Sequence, residues 1–150
     1  MRVTIQRVNY ASVNIKQKEI SRISEGLAVF VAVCNQDTQE DILWLSKKIC
    51  FLRVFSDNQG KMNFSLLESG GDILLISQFT LYAKTKKGNR PSFLNSASQE
   101  FAESIYNSFK LALEECLAKK VYAGQFGEDM EVLICNNGPI TINIDSKIRE

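Results

Sequence analysis

Proline inside a strand costs a ladder hydrogen bond, and this chain sets one between two runs that otherwise alternate as strands do. The runs are Val132 to Cys135 and Ile140 to Ile144, and the step between them is Gly138-Pro139, within Asn136-Asn137-Gly138-Pro139-Ile140-Thr141. The pattern predicts two closing strands forming a hairpin that the Gly-Pro step interrupts. X-Pro bonds alone adopt cis at appreciable frequency, roughly 5% in folded proteins, and a cis step would aim its two flanking carbonyls in similar directions. From the dipeptide alone, a trans type I or II turn with proline at its second position is the commoner outcome.

The 150 residues, 45% of them hydrophobic, suffice for a single domain over 1–150 with a real core, and no linker, internal repeat or low-complexity tract divides them. The longest apolar run, Leu27 to Cys34, is far shorter than a membrane span. The opening Met1-Arg2-Val3-Thr4-Ile5 lacks the layout of a signal peptide. A cytoplasmic protein without membrane contact is the expectation. Cys34, Cys50, Cys116 and Cys135 are scattered among apolar neighbours, with no CxxC pair and no histidine in the chain. They read as reduced core residues, and neither a metal nor a cofactor is expected.

Val3, Ile5 and Arg7 share one face of an opening strand if the period of two holds, which turns a guanidinium to the side where an apolar residue belongs. Such a group needs acceptors, and the carbonyls of a turn would serve. Val13 and Ile15 continue the alternation, Lys16 to Glu19 reads as a turn, and Leu27 to Val33 as a fully buried strand. Asp37-Thr38-Gln39-Glu40 offers a capping-box start to a helix carrying Ile42, Leu45, Ile49 and Leu52. Ser56 to Lys61 has turn chemistry, and Ile73 to Phe79 predicts another apolar strand. A second helix starts near Ser98, carries a stripe of Phe101, Ile105, Phe109, Ala112 and Cys116, and ends near Lys119-Lys120. The class is α/β: a β-rich, layered or barrel-like mixed sheet, with two amphipathic helices whose stripes can each cover one sheet face.

Ser77-Gln78-Phe79-Thr80 closes the predicted strand, so its last N-H groups can leave the ladder and meet a ligand. Ser77 and Thr80 could also simply finish the strand through local hydrogen bonds. Soon after come Lys84, Lys86, Lys87 and Arg90, four cations within seven residues in a loop made by Gly88 and Pro91. A net charge of +1 excludes a uniformly basic nucleic-acid coat, but this local cluster suits a polyanion as well as it suits a solvated loop.

Ser77-Gln78-Phe79-Thr80-Leu81 and Asn136-Asn137-Gly138-Pro139-Ile140-Thr141, in this order and separation, resemble the two signature motifs of the D-aminoacyl-tRNA deacylases, and the resemblance runs almost end to end. It implies a homodimeric enzyme that needs no metal and hydrolyses the ester between a D-amino acid and tRNA, with glycine mischarged on alanine tRNA as a further substrate. Ser77, Gln78, Phe79 and Thr80 would form the catalytic segment, the backbone amides of Phe79 and Thr80 receiving the oxyanion while the substrate's ribose hydroxyl assists. Gly138 and Pro139 of the second subunit would bind the substrate ammonium and reject L side chains, with Arg7, Asn136 and Thr141 supporting that loop. Phe126 and Met130 would pack the terminal adenosine, and Lys84, Lys86, Lys87 and Arg90 would meet tRNA phosphates. Glu128 departs from the small residue often found there. Such an ester is already labile, so the absence of histidine is compatible with its hydrolysis. The residues alone also fit a structural salt bridge for Arg7 and core packing for Phe126 and Met130. Two other functions remain open at this level: a non-catalytic nucleic-acid binder using the Lys84 to Arg90 loop, and a hydrolase with Thr80 or a cysteine as nucleophile.

Overall fold

A computed structural model describes residues 1–149. The order of elements is β1 (Arg2–Ile15), β2 (Lys18–Ile23), β3 (Gly26–Ala32), α1 (Gln39–Phe51), β4 (Phe55–Ser56), β5 (Met62–Phe64), α2 (Leu66–Ser69), β6 (Asp72–Ser77), a 3-10 turn (Phe79–Tyr82), α3 (Gln99–Leu117), β7 (Tyr122–Ala123) and β8 (Glu131–Asp145). Six strands form one mixed sheet in the order β2-β1-β3-β6-β7, with β8 on the other edge of β1. β1 runs antiparallel to β2, β3 and β8, whereas β3 and β6, and β6 and β7, are parallel. The sheet curls until β2 approaches β6 and β7, which makes it a nearly closed barrel.

Alternation along the strands sorts the core into two compartments. Val3, Ile5, Leu27, Val29, Val31, Ile73 and Leu75 pack with Ile42, Leu45 and Ile49 of α1 and Phe109 and Leu113 of α3. Val8, Val13, Ile23, Ala28, Leu74 and Ile76 fill the opposite, concave side. Both helices thus lie on one face and pack against each other, correcting the expectation that each could cover a face of its own. The reason is closure: a curled sheet fills its inner side with its own side chains and leaves only the outer one for helices.

The closing segment also differs from the hairpin reading. β8 is one strand paired with β1 along almost its whole length. Val8 stands opposite Asn136 and Gln6 opposite Thr141, so residues 137–140 face Arg7 alone. Gly138-Pro139 therefore occupies a bulge, where the missing N-H costs no ladder bond. β6 stops at Ser77 and Phe79 enters the 3-10 turn, two residues before the predicted strand end. In α3 the buried stripe is Tyr106, Phe109, Ala112, Leu113 and Leu117, with Phe101 exposed.

The α1 cap is Thr38, whose N-H and hydroxyl both donate to the Asp41 carboxylate at 2.8 and 3.0 Å, one residue later than the box read from Asp37. Asp37 is occupied otherwise: it accepts from the buried Met1 ammonium at 2.5 Å and from the Cys34 N-H at 2.8 Å. Ser146 accepts from the same ammonium and donates to Asp41, and Lys147 pairs with Asp41 at 2.5 Å. Burial alone would raise the Asp41 carboxyl, but the bonds from Lys147, Ser146 and Thr38 outweigh it and hold the group well below its ordinary value of 3.8. A depressed folded-state value means that this stabilisation is complete above pH 3.8 and lost as the pH falls towards the folded value. In acid titrations followed by circular dichroism, Asp41→Asn should be less stable at neutral pH and should lose stability less steeply below about pH 4. Parallel acid profiles for the variant and the parent would contradict this assignment.

Candidate functional site

The Gln78 N-H makes the last ladder bond of β6, to the Val31 carbonyl at 2.7 Å, and the chain then tightens into the 3-10 turn. The first N-H groups of any helical turn lack intrahelical partners. Here those of Phe79 and Thr80 donate to no group among the described residues. The carbonyl of Gln78 accepts from the Leu81 N-H at 3.2 Å, and the carbonyl of Phe79 from the Ser96 hydroxyl at 3.0 Å. The Thr80 hydroxyl accepts from Gln78 Nε2 at 2.6 Å, and no base among the described residues is bonded to it. That arrangement positions Thr80 and offers nothing to activate it as a nucleophile. The exposed Phe79 ring meets Phe93 edge-on, 5.0 Å between centroids.

A cavity of about 520 Å³ opens beside this turn. Val31, Val33 and Ile76 contribute its apolar part, Ser77, Gln78 and Phe79 line it together with Ser96 and Gln99, and Tyr106, Phe126 and Met130 add aromatic and thioether surface near Glu128 and Asp129. The structure thus brings Ser77, Gln78 and Phe79 together with Phe126 and Met130, residues about fifty apart in sequence; the Thr80 side chain is not on this wall. The Tyr106 hydroxyl donates to the Leu75 carbonyl at 3.1 Å while its ring packs 5.5 Å from Phe126. Leu75 also accepts from the Gly124 N-H at 3.0 Å, and any Cβ at Gly124 would collide with the Met130 sulfur. Burial pushes the phenols of Tyr82 and Tyr106 up, so both stay protonated at neutral pH. None of the four cysteines lines the cavity, and burial between α1 and α3 pushes the Cys50 thiol up, away from thiolate chemistry.

The second motif lies elsewhere on the chain. Gly138 and Pro139 are exposed at the bulge, the peptide between them is cis, and Gly138 has φ 125°. The Arg7 guanidinium is buried beneath: Nε donates to the Asn137 carbonyl at 3.1 Å, Nη2 to Asn137 Oδ1 at 3.2 Å and Nη1 to the Val54 carbonyl at 2.6 Å. Arg7 pairs with no carboxylate among the described residues, so it is a carbonyl-bound brace and not half of a salt bridge. Asn136 and Thr141 bracket the bulge through their pairing with β1, and Gln6 Nε2 donates to the Thr141 hydroxyl at 3.3 Å. Gly138 and Pro139 do not line the 520 Å³ cavity.

Lys84, Lys86, Lys87 and Arg90 are exposed on a loop pinched at its base by Lys84 and Ser92, whose backbones exchange hydrogen bonds of 2.8 and 3.0 Å. None of the four forms an ion pair among the described residues. The loop follows directly on the 3-10 turn in the chain, and none of its four cations lines the 520 Å³ cavity. Among the described residues no helix is long and apolar enough to cross a membrane. Sequence reasoning missed Ser96, Tyr106, Asn137 and Val54. Tyr106 carried a weak signal as a phenol within an apolar helix stripe, while the Val54 carbonyl could carry none.

Residues 4–145 match the family described as D-Tyr-tRNA(Tyr) deacylase. The chain is 53% identical over 150 residues to a D-aminoacyl-tRNA deacylase of Phocaeicola vulgatus, and 50% identical over 150 residues to one of Flavobacterium psychrophilum, with 100% of both chains covered in each case. Among solved structures, the c-Myc DNA unwinding element binding protein is 38% identical, with a TM-score of 0.91 over 97% of this chain and 98% of that one. A probable eukaryotic D-amino acid tRNA deacylase, 18% identical, shares the fold at a TM-score of 0.83 over 95% of this chain and 97% of the other.

Proposed function

The chain belongs to the D-Tyr-tRNA(Tyr) deacylase family, and we propose that it is a hydrolase that releases D-amino acids from mischarged tRNA by cleaving the aminoacyl ester. One observation carries the chemistry: two adjacent, unpartnered backbone N-H groups, those of Phe79 and Thr80, beside a cavity with aromatic and thioether walls. Water adds to the ester carbonyl, the developing oxyanion takes the two N-H groups, and the ribose oxygen leaves with a proton, giving free amino acid and tRNA. The neighbouring ribose hydroxyl assists proton transfer, which accounts for a site without histidine. Phe126 and Met130 receive the terminal adenosine, and Lys84, Lys86, Lys87 and Arg90 meet the phosphates of the acceptor stem. A protein acting on tRNA in translation works in the cytoplasm.

Chirality is sorted by Gly138 and Pro139 of a second copy, which receive the substrate ammonium and leave no room for an L side chain; glycine, lacking a side chain, passes and is cleaved from alanine tRNA. The β1 surface supports such a dimer. Arg2, Thr4 and Gln6 alternate with core residues, and Thr4 Oγ1 donates to Asn143 Oδ1 at 2.6 Å across to β8. The Arg2 end touches the 3-10 turn through a 3.2 Å bond to the Leu81 carbonyl, and the Arg7 end carries the bulge. A two-fold axis through the middle of the Arg2–Arg7 segment would set each bulge over the partner's 3-10 turn, since about five residues of strand, roughly 17 Å, separate the ends of that segment.

The test is release of D-tyrosine and L-tyrosine from tyrosyl-tRNA. The expected result is rapid D-ester cleavage with the L-ester spared; equal cleavage of both would overturn the chiral reading. A second reading draws on the exposed cation loop and on the relative described as a DNA unwinding element binding protein. It predicts salt-sensitive nucleic-acid binding without turnover, so the same assay separates the two.

A further inference from the structure

We propose that Ser96 is a positioning residue for the reaction, setting the peptide unit whose N-H receives the oxyanion; this rests on the deacylase reading above. The carbonyl of Phe79 and the N-H of Thr80 belong to one planar peptide, in which they point in opposite directions. A donor on that carbonyl therefore fixes the direction of the N-H. Ser96 Oγ supplies a side-chain donor at 3.0 Å, alongside the Tyr82 N-H that the 3-10 turn brings to the same carbonyl, while the Leu81 N-H supplies the equivalent bond at 3.2 Å to the Gln78 carbonyl and so fixes the Phe79 N-H. Both amides of the pair are thus left free on one side and held on the other. A bond to the carbonyl also polarises the peptide and strengthens its N-H as a donor.

Ser96 is itself held firmly. Its N-H donates to the Phe93 carbonyl at 2.9 Å, and the next N-H, of Ala97, donates to the Val33 carbonyl at 2.9 Å, tying the segment to the end of β3. The Phe93 ring, from the same turn, packs edge-on against Phe79. The alternative donor nearby, Gln78 Nε2, is engaged with the Thr80 hydroxyl, so Ser96 is the only side-chain donor to the Phe79 carbonyl among the described residues.

The experiment compares Ser96→Ala, Ser96→Cys and Ser96→Thr with the parent chain. Losing the bond in Ser96→Ala should lower kcat on D-tyrosyl-tRNA by about three- to tenfold. KM should stay within about twofold, because the interaction matters once charge develops on the ester oxygen. Ser96→Thr keeps the hydroxyl and should restore kcat, while Ser96→Cys, a weak donor, falls between. The amide resonance of Thr80 in a 1H-15N spectrum should move in Ser96→Ala and return in Ser96→Thr. An unchanged kcat in a folded Ser96→Ala chain, a loss confined to KM, or a Thr80 resonance that does not move would overturn the proposal. No turnover by the parent chain would instead strike the deacylase reading, and the amide resonance would still decide whether Ser96 sets the peptide.

Discussion

Gly138→Ala should cut D-tyrosine release by about a hundredfold, the cost expected when a site group is displaced by around 1 Å. Gly138 has φ 125°, a region that side chains of L residues rarely enter. An added Cβ would lie 3.0 Å from Ile140 Cγ1, 3.1 Å from the Ile140 nitrogen and 3.2 Å from Arg7 Nη2. Arg7 cannot retreat, because its guanidinium is already bound to Asn137 and to the Val54 carbonyl. The bulge must therefore change shape at its exposed tip, where little of the core depends on it. Activity of the variant within twofold of the parent, measured on the same tRNA preparation, would remove the bulge from the mechanism.

Arg7→Ala acts on the same bulge from below, and its main effect should be on stability. Hydrogen bonds to a charged group contribute about 1.5–3 kcal/mol each, and the carbonyls left behind would be buried without a donor. The loss should be about 3 kcal/mol or more, equivalent to a fall in melting temperature of roughly 6–12 °C for a chain of this size. Lysine should not rescue it, since a single ammonium cannot span Val54 and Asn137 as the planar guanidinium does. Deacylation should also fall in any folded fraction, because the Asn137 carbonyl immediately precedes Gly138. Thermal melts showing less than a degree of difference would mean that the brace carries no load.

The two effects are coupled through the geometry that separates motif from site. Within one chain the bulge faces Arg7, about five residues along β1 from Arg2, which meets the 3-10 turn, so Gly138→Ala should leave the Thr80 amide environment of a single chain unaltered. An effect on turnover without a change at that amide would favour the proposal that a second copy supplies the bulge.

Much of this protein is written in local pattern. The unbroken apolar run of β3, the spacing of Ile42, Leu45 and Ile49 on α1 and the odd placement of Arg7 among inward residues are each properties of a few consecutive positions, because strand and helix periods repeat over short stretches. The same holds for the segment Ser77 to Thr80, whose position at the end of an apolar run marked free amides before any partner was known. The short elements β4, β5, α2 and β7 left no such trace, being too brief to complete a period. What tertiary structure alone decided was pairing: that β8 runs unbroken along β1 with residues 137–140 bulging opposite Arg7, that both helices share one face, and that Ser96 and Tyr106 reach Phe79 and Leu75. A period says which way a side chain faces but not which distant segment it will meet; that choice belongs to the arrangement in which buried backbone groups and core volumes are satisfied together.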